Sequence, residues 1–157
     1  MDLTDSVGFE PHEIITSEPT RSARLKWVII VDDSISAGLM ANAVACISAT
    51  TGTAVAGLIG SGGPDASGRL HCGLPWAGCS VLTASPRTLA EIRAKAVASD
   101  GVLVVDMPRG AQTTRVYDEY LARLAETKPE DLAVSAISVV GPKNRVSKLA
   151  HDASLME

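Results

Sequence analysis

Asp106 is the residue of this sequence whose type and position best suit chemistry. It ends the apolar run Val102-Leu103-Val104-Val105, and a carboxylate at a strand end can orient a water or act as a base on it. The plainer role is a loop carboxylate that accepts backbone hydrogen bonds. Asp32 and Asp33 follow a second apolar run, Trp27-Val28-Ile29-Ile30-Val31. They could bind a cation or a hydroxylated ligand, or cap the helix that follows, because a helix N-terminus favours negative charge. Asn42 lies among alanines and reads either as a polar contact into a crevice or as a solvent-facing side chain. Lys143 and Asn144 open a final helix, where backbone N–H groups together with the lysine could receive an anion.

The elements that position these residues can be read from periodicity. Residues 26–31 are apolar throughout, as in a strand covered on both faces. A helix is predicted over 36–50, with Leu39, Ala43, Cys46, Ile47 and Thr50 on one face and Gly52 as its C-terminal cap. Residues 53–59 read as β-like, and the glycine-rich stretch 60–68 with 69–82 reads as a hairpin insertion. Ser85-Pro86 starts a helix with a capping Ser and a Pro in the first turn. Leu89, Ile92, Ala96 and Val97 form its apolar face, and Asp100-Gly101 stops it. After the strand at 102–105, a helix is predicted over 112–126, a last strand over 133–140 and a last helix after Gly141-Pro142. This alternation implies crossover connections and a mainly parallel sheet. In such sheets the ligand crevice lies outside the carboxyl ends of the strands. The expectation is therefore one α/β domain of three layers over 23–157, with a mixed, mostly parallel sheet of about four strands, flanking helices and the hairpin insertion. Residues 1–22 form a loosely docked amino-terminal extension in this reading. A crevice bordered by Asp32, Asn42, Asp106, Gln112, Thr113 and Lys143 is expected at the carboxyl edge.

Composition narrows the function classes. The chain of 157 residues is 46% hydrophobic and 20% charged, and no apolar run reaches the ~20 residues needed to span a bilayer. The amino terminus lacks the basic start and apolar run of a secretory signal. The odd cysteine count (Cys46, Cys72, Cys79) fits a reducing, cytoplasmic compartment. His71-Cys72 with Cys79 lacks a close Cys-x-x-Cys pair and a fourth ligand, so no metal or other cofactor is expected. A net charge of −4 disfavours nucleic acid, since phosphate contacts supply most non-specific affinity. The glycines of 60–68 lack the Lys-Ser/Thr of a phosphate loop, and Asp65 stands where a dinucleotide motif needs its third glycine.

Four stretches resemble a bacterial family known only as domain of unknown function two-thousand. They are 26–43, Ala84-Ser85-Pro86, Asp106-Met107-Pro108 with Gln112-Thr113-Thr114 and Tyr117-Asp118-Glu119-Tyr120, and Val140-Gly141-Pro142-Lys143-Asn144. That family is grouped by fold with the type II peptidyl-tRNA hydrolases, which cleave the ester between peptide and tRNA. The resemblance implies a mostly parallel sheet of about four strands. Asp106 resembles the hydrolases' Asp at the end of a central strand, Thr113 or Thr114 the Thr that follows it, and Gly141-Pro142 the Gly-Pro that ends their last strand. The departures lie at the first strand. Its loop, Asp32-Asp33-Ser34-Ile35-Ser36-Ala37-Gly38, has no lysine; Asn42 stands near the Gln position and Ala45 where the His would be. A peptidyl-tRNA ester needs cations for its phosphates and its developing oxyanion, and two aspartates do the opposite.

Two functions stay open at this point. One is a small-ligand-binding or regulatory domain whose partners are a small polar or anionic ligand and a second copy of the chain as a homodimer. The other is a divergent hydrolase using Asp106 and Thr113 or Thr114, with tRNA as its partner.

Overall fold

A computed structural model of the protein describes residues 7–157. Its centre is strand β1 (Leu25–Asp32), buried along almost its whole length as its unbroken apolar sequence demands. Helix α1 (Ala37–Ala54) follows, capped by the Ser36 side chain, and then a hairpin of β2 (Gly63–Pro64) and β3 (Leu70–His71). Next come β4 (Ser80–Ala84), α2 (Pro86–Val97), β5 (Leu103–Pro108), α3 (Arg109–Thr113) and α4 (Tyr117–Glu126). Strand β6 (Val134–Pro142), α5 (Lys143–Leu149) and the two-residue β7 (Ser154–Leu155) complete the chain.

The main sheet has five strands in the order β5-β6-β1-β4-β7, one more than expected. It is mixed, but it is not mostly parallel. Only β1 and β4 pair in parallel; β6 runs antiparallel to both β1 and β5, and β7 antiparallel to β4. The reason lies between β5 and β6. The single helix expected over 112–126 is two helices, α3 and α4, broken at Thr114, Arg115 and Val116. They pack on each other beside the end of β5 and do not recross the sheet face. The chain therefore turns round at the carboxyl edge, and β6 returns between β5 and β1.

Strand alternation divides the core into two faces. Trp27, Ile29 and Val31 point toward α1, joining Ala43, Ile47 and Ala136. Val28 and Ile30 point toward α2 and α5, joining Leu89, Ile92, Ala96, Ile137 and Val146. Helix α1 runs through Gly52, which is not its cap, and takes up the first two residues of the segment expected to be β-like. The remainder of that segment is a connection with two isolated bridges, Gly8↔Ala56 and Ile59↔Pro75.

The first bridge docks the arm. Phe9 is 5% exposed, its N–H donates to the Ala56 carbonyl at 2.8 Å, and its ring meets Trp76 at a centroid distance of 4.8 Å. Gly57 makes this approach possible: it sits at φ +71°, and a Cβ there would lie 3.0 Å from the Phe9 carbonyl oxygen. Arg24 clamps the arm further, donating to the Glu13 carboxylate and, at 2.9 Å, to the Gly8 carbonyl. The Arg24 hydrogen bond, and then the Glu10 N–H, hold the Glu13 carboxyl at about 2, below its ordinary value of 4.5. The clamp is thus fully present above the ordinary carboxylate range and is lost as pH falls through about 2. Val7 and Phe9 are buried against the body and Glu13 is held by Arg24, whereas residues 15–22 are exposed.

One polar chain crosses the apolar layer beneath α1. Trp27 Nε1 donates to Ser138 Oγ at 2.8 Å, Ser138 and Thr51 hydroxyls share a 2.7 Å bond, and Thr51 Oγ1 donates to the Ile47 carbonyl at 2.7 Å. Since the indole can only donate and the carbonyl only accept, Ser138 must be the donor to Thr51.

Two outcomes follow for stability. Ser138→Ala orphans the buried indole N–H and is expected to cost about 1–3 kcal/mol in denaturant unfolding. Adding Thr51→Val to it should cost less than Thr51→Val alone, because the two act through one chain. Phe9→Ala should cost about 3 kcal/mol by emptying its slot against Trp76, and deletion of the arm should lower the melting temperature; an unchanged melt would show that the arm carries no stability.

Candidate functional site

The inverted β6 divides the expected site in two. Asp32, Asp106, Gln112, Thr113, Thr114 and Asn42 gather at the carboxyl ends of β1 and β5. Lys143 and Asn144 do not, because the register Leu25↔Pro142 places the end of β6 beside the start of β1. They sit at the opposite edge of the sheet, where the Lys143 N–H donates to the Arg24 carbonyl at 3.3 Å.

At the carboxyl edge every predicted acid except Asp33 is committed to a partner. Asp32 is 0% exposed; one of its oxygens accepts from Ser34 N–H at 2.8 Å and Ser34 Oγ at 2.6 Å, and the other pairs with the Arg109 guanidinium. It thus closes the turn after β1, and the cap of α1 is Ser36 instead. Asp106 pairs bidentately with Arg93 of α2, at 2.9 and 2.8 Å. Its hydrogen bond raises the Arg93 pKa further above the ordinary range, against the opposing effect of burial. Both oxygens of this carboxylate are thus engaged by one guanidinium. Asp33 is exposed, and its N–H donates to the Ala84 carbonyl at 3.0 Å.

Gln112 bridges α1 to the sheet. Its Nε2 donates to the Leu39 carbonyl and to Asn42 Oδ1, both at 3.0 Å, and its Oε1 accepts from Ser135 Oγ at 2.5 Å. Asn42 is thereby placed at the crevice rim, though exposed. Both threonine hydroxyls turn back onto backbone carbonyls. Thr113 Oγ1 donates to Arg109 or Gly110 at 3.4 and 3.3 Å, and Thr114 Oγ1 to Gly110 at 2.7 Å while accepting from Arg123 at 3.2 Å. Neither hydroxyl meets the Asp106 carboxylate.

Arg93 and Arg109 were not among the sequence candidates. Arg93 carries a readable signal: with Leu89, Ile92 and Ala96 it completes the i, i+3, i+4, i+7 stripe of the buried face of α2. A cation on such a stripe requires a carboxylate on the element it packs against. Arg109, directly after β5, has no comparable pattern.

Beside these pairs a cavity of about 340 Å³ opens between α1, the end of β5 and the α3–α4 junction. Cys46 and Thr50 of α1 form one wall, Thr114 and Arg115 another, and Tyr117 and Tyr120 a third. The two tyrosine rings meet edge to face at 5.6 Å. Burial, and then Tyr117 and Asp106, raise the Tyr120 pKa, so its hydroxyl keeps its proton as a donor. Arg115 forms no ion pair among the described residues. The volume lies at the lower end of small-molecule sites. Among the described residues no group of three or more metal-ligating side chains is assembled, and no helix is long and apolar enough to cross a membrane.

A protein of unknown function from Agrobacterium tumefaciens str. C58, Atu0240, shares the fold, with a TM-score of 0.73 and 17% identity over 85% of this chain and 98% of its own. No curated protein matches the sequence. Residues 25–157 match the family described as protein of unknown function (DUF2000), and the chain belongs to that family.

Proposed function

We propose that this domain binds a small molecule in the cavity between α1 and the α3–α4 junction and does not hydrolyse it. The observation that carries the reading is the pairing of Arg115, a cation with no ion pair among the described residues, and a protonated phenol, Tyr120, around a space lined mostly by apolar side chains with Thr50 and Thr114 at its walls, while Asp32 and Asp106 are tied to guanidiniums. A compact, partly apolar ligand bearing one anionic group fits these walls. Arg115 would meet the anion, Tyr120 and Thr50 would donate to it, and Met107 with Pro108 would cover the apolar part. Of the sequence-based crevice, Asp106 remains as a wall and Gln112 with Asn42 as the brace that holds α1 over it. Lys143 and Asn144 have no part in it.

The relation to type II peptidyl-tRNA hydrolases belongs to this proposal only as ancestry of the scaffold. Asp106, Thr113 or Thr114 and Gly141-Pro142 resemble their motif residues, but the engaged Asp106 and the turned-in threonines speak for binding without turnover. A homodimer is compatible with the binding reading, and light scattering would check it.

A thermal-shift screen of small aromatic and aliphatic carboxylates and phosphates tests the site, since a ligand raises stability with its concentration over its Kd. Compounds that stabilise the protein should bind about tenfold more weakly to Arg115→Gln and should lose their shift in Tyr120→Ala. A hit indifferent to both substitutions would place the site elsewhere. Incubation with diacetyl-lysyl-tRNA should release no peptide above background; cleavage that disappears in Asp106→Asn would overturn the non-hydrolytic reading.

A further inference from the structure

At the amino edge of the sheet, β4 begins to pair only at Val28↔Ser80, so Leu25, Lys26 and Trp27 run past it without a β4 partner. The arm, the turn before β4 and α5 close around this overhang and leave a cavity of about 350 Å³. Three cations line it, Arg21, Lys26 and Lys143, and among the described residues no carboxylate does. None of the three forms an ion pair among the described residues. Their partners are neutral: Lys26 Nζ donates to Ser147 Oγ at 3.0 Å, and Lys143 Nζ donates to the Arg21 carbonyl.

Three positive groups drawn onto one cavity repel one another, and an anion seated between them relieves that repulsion more strongly than water and salt alone. Among the described residues no carboxylate lines the cavity to give that relief, although the net charge of the chain is −4. The neighbouring cavity on the other side of α5 makes the contrast. Lys95, Arg145 and Lys148 line it too, but Asp100 and Asp152 stand among them.

We propose that the cavity formed by Arg21, Lys26 and Lys143 is a binding site for a tetrahedral oxyanion of the phosphate class. Arg21 supplies a planar fork that can hold two oxygens, and the two lysines supply point charges with spare N–H donors. Thr20, Ser80 and Ser147 line the same cavity. The site is independent of the cleft at the carboxyl edge and shares no lining residue with it. Because Arg21 belongs to the arm while Lys26 and Lys143 belong to the body, a bound anion would also fasten the arm to the sheet.

Inorganic phosphate is the probe. Titrated against the full chain at ionic strength held constant with sodium chloride, it is expected to raise the melting temperature to a plateau and to shift the amide resonances of Arg21, Lys26 and Lys143. The double variant Lys26→Gln/Lys143→Gln should bind about tenfold more weakly or not at all, and Arg21→Gln should weaken binding by itself. Lys95→Gln/Lys148→Gln, in the neighbouring cavity, should bind as the parent does. Far-UV circular dichroism of each variant establishes that it is folded; if the double variant is not, Arg21→Gln decides alone. A phosphate effect no larger than that of chloride, or one that survives in the folded double variant and in Arg21→Gln, would overturn the assignment.

Discussion

The antiparallel pairing of β6 with β1, from Leu25↔Pro142 to Val31↔Ala136, is the constraint on which the other features depend. Both strands are buried on both faces, so their register is fixed from two sides at once. A slip of one residue would turn Ile137 and Val139 toward α1 and Ser138 away from Trp27. The same pairing separates the molecule into two chemical ends. Acidic strand ends and their guanidinium partners collect at one edge, and Arg21, Lys26 and Lys143 at the other.

The polar groups inside the domain are engaged in specific bonds, and no buried side-chain polar atom lacks a partner among the described residues. The Trp27–Ser138–Thr51 chain ties β1, β6 and α1 at their crossing. The Asp106–Arg93 pair ties β5 to α2 with 23% and 19% of the side chains exposed. Partial burial of such a pair makes each partner necessary to the other, since an unpaired charge there would be poorly solvated. Asp106 is therefore a structural partner of Arg93.

Local chemistry was legible in the sequence wherever one element decided it. The continuous apolar run of β1, the Ser85-Pro86 start of α2 and the glycine-rich hairpin all appear near where their residues placed them. What required three dimensions was less legible. Strand order and direction turn on whether α3 and α4 recross the sheet, and their amphipathic pattern is the same in either case. Gly52 resembles a helix end, yet Thr51 beside it is held by Ser138, which is 87 residues away, and Thr53 bonds back to the Ala49 carbonyl. The docking of Phe9 depends on Gly57 and Trp76, which no local period reveals. Strand-end logic expects Asp32, Asp106, Gln112 and Asn42 at one edge of the sheet, and they stand there together. Lys143 and Asn144 were misplaced because the strand before them points the other way.

The order β5-β6-β1-β4-β7 leaves two rims. Open rims invite strands of other molecules to add on, the first step toward fibrils. On one rim β7 offers only two residues. On the other, the segment Val102-Leu103-Val104-Val105 has the β-branched, uncharged composition that aggregates readily. It is followed at once by the Asp106–Arg93 charge pair, a register shift at Met107/Pro108, and a proline that cannot donate to an incoming strand. The ion pair that ties Asp106 to α2 thus also sets a charged stop beside the aggregation-prone segment, where a strand of another molecule would have to add.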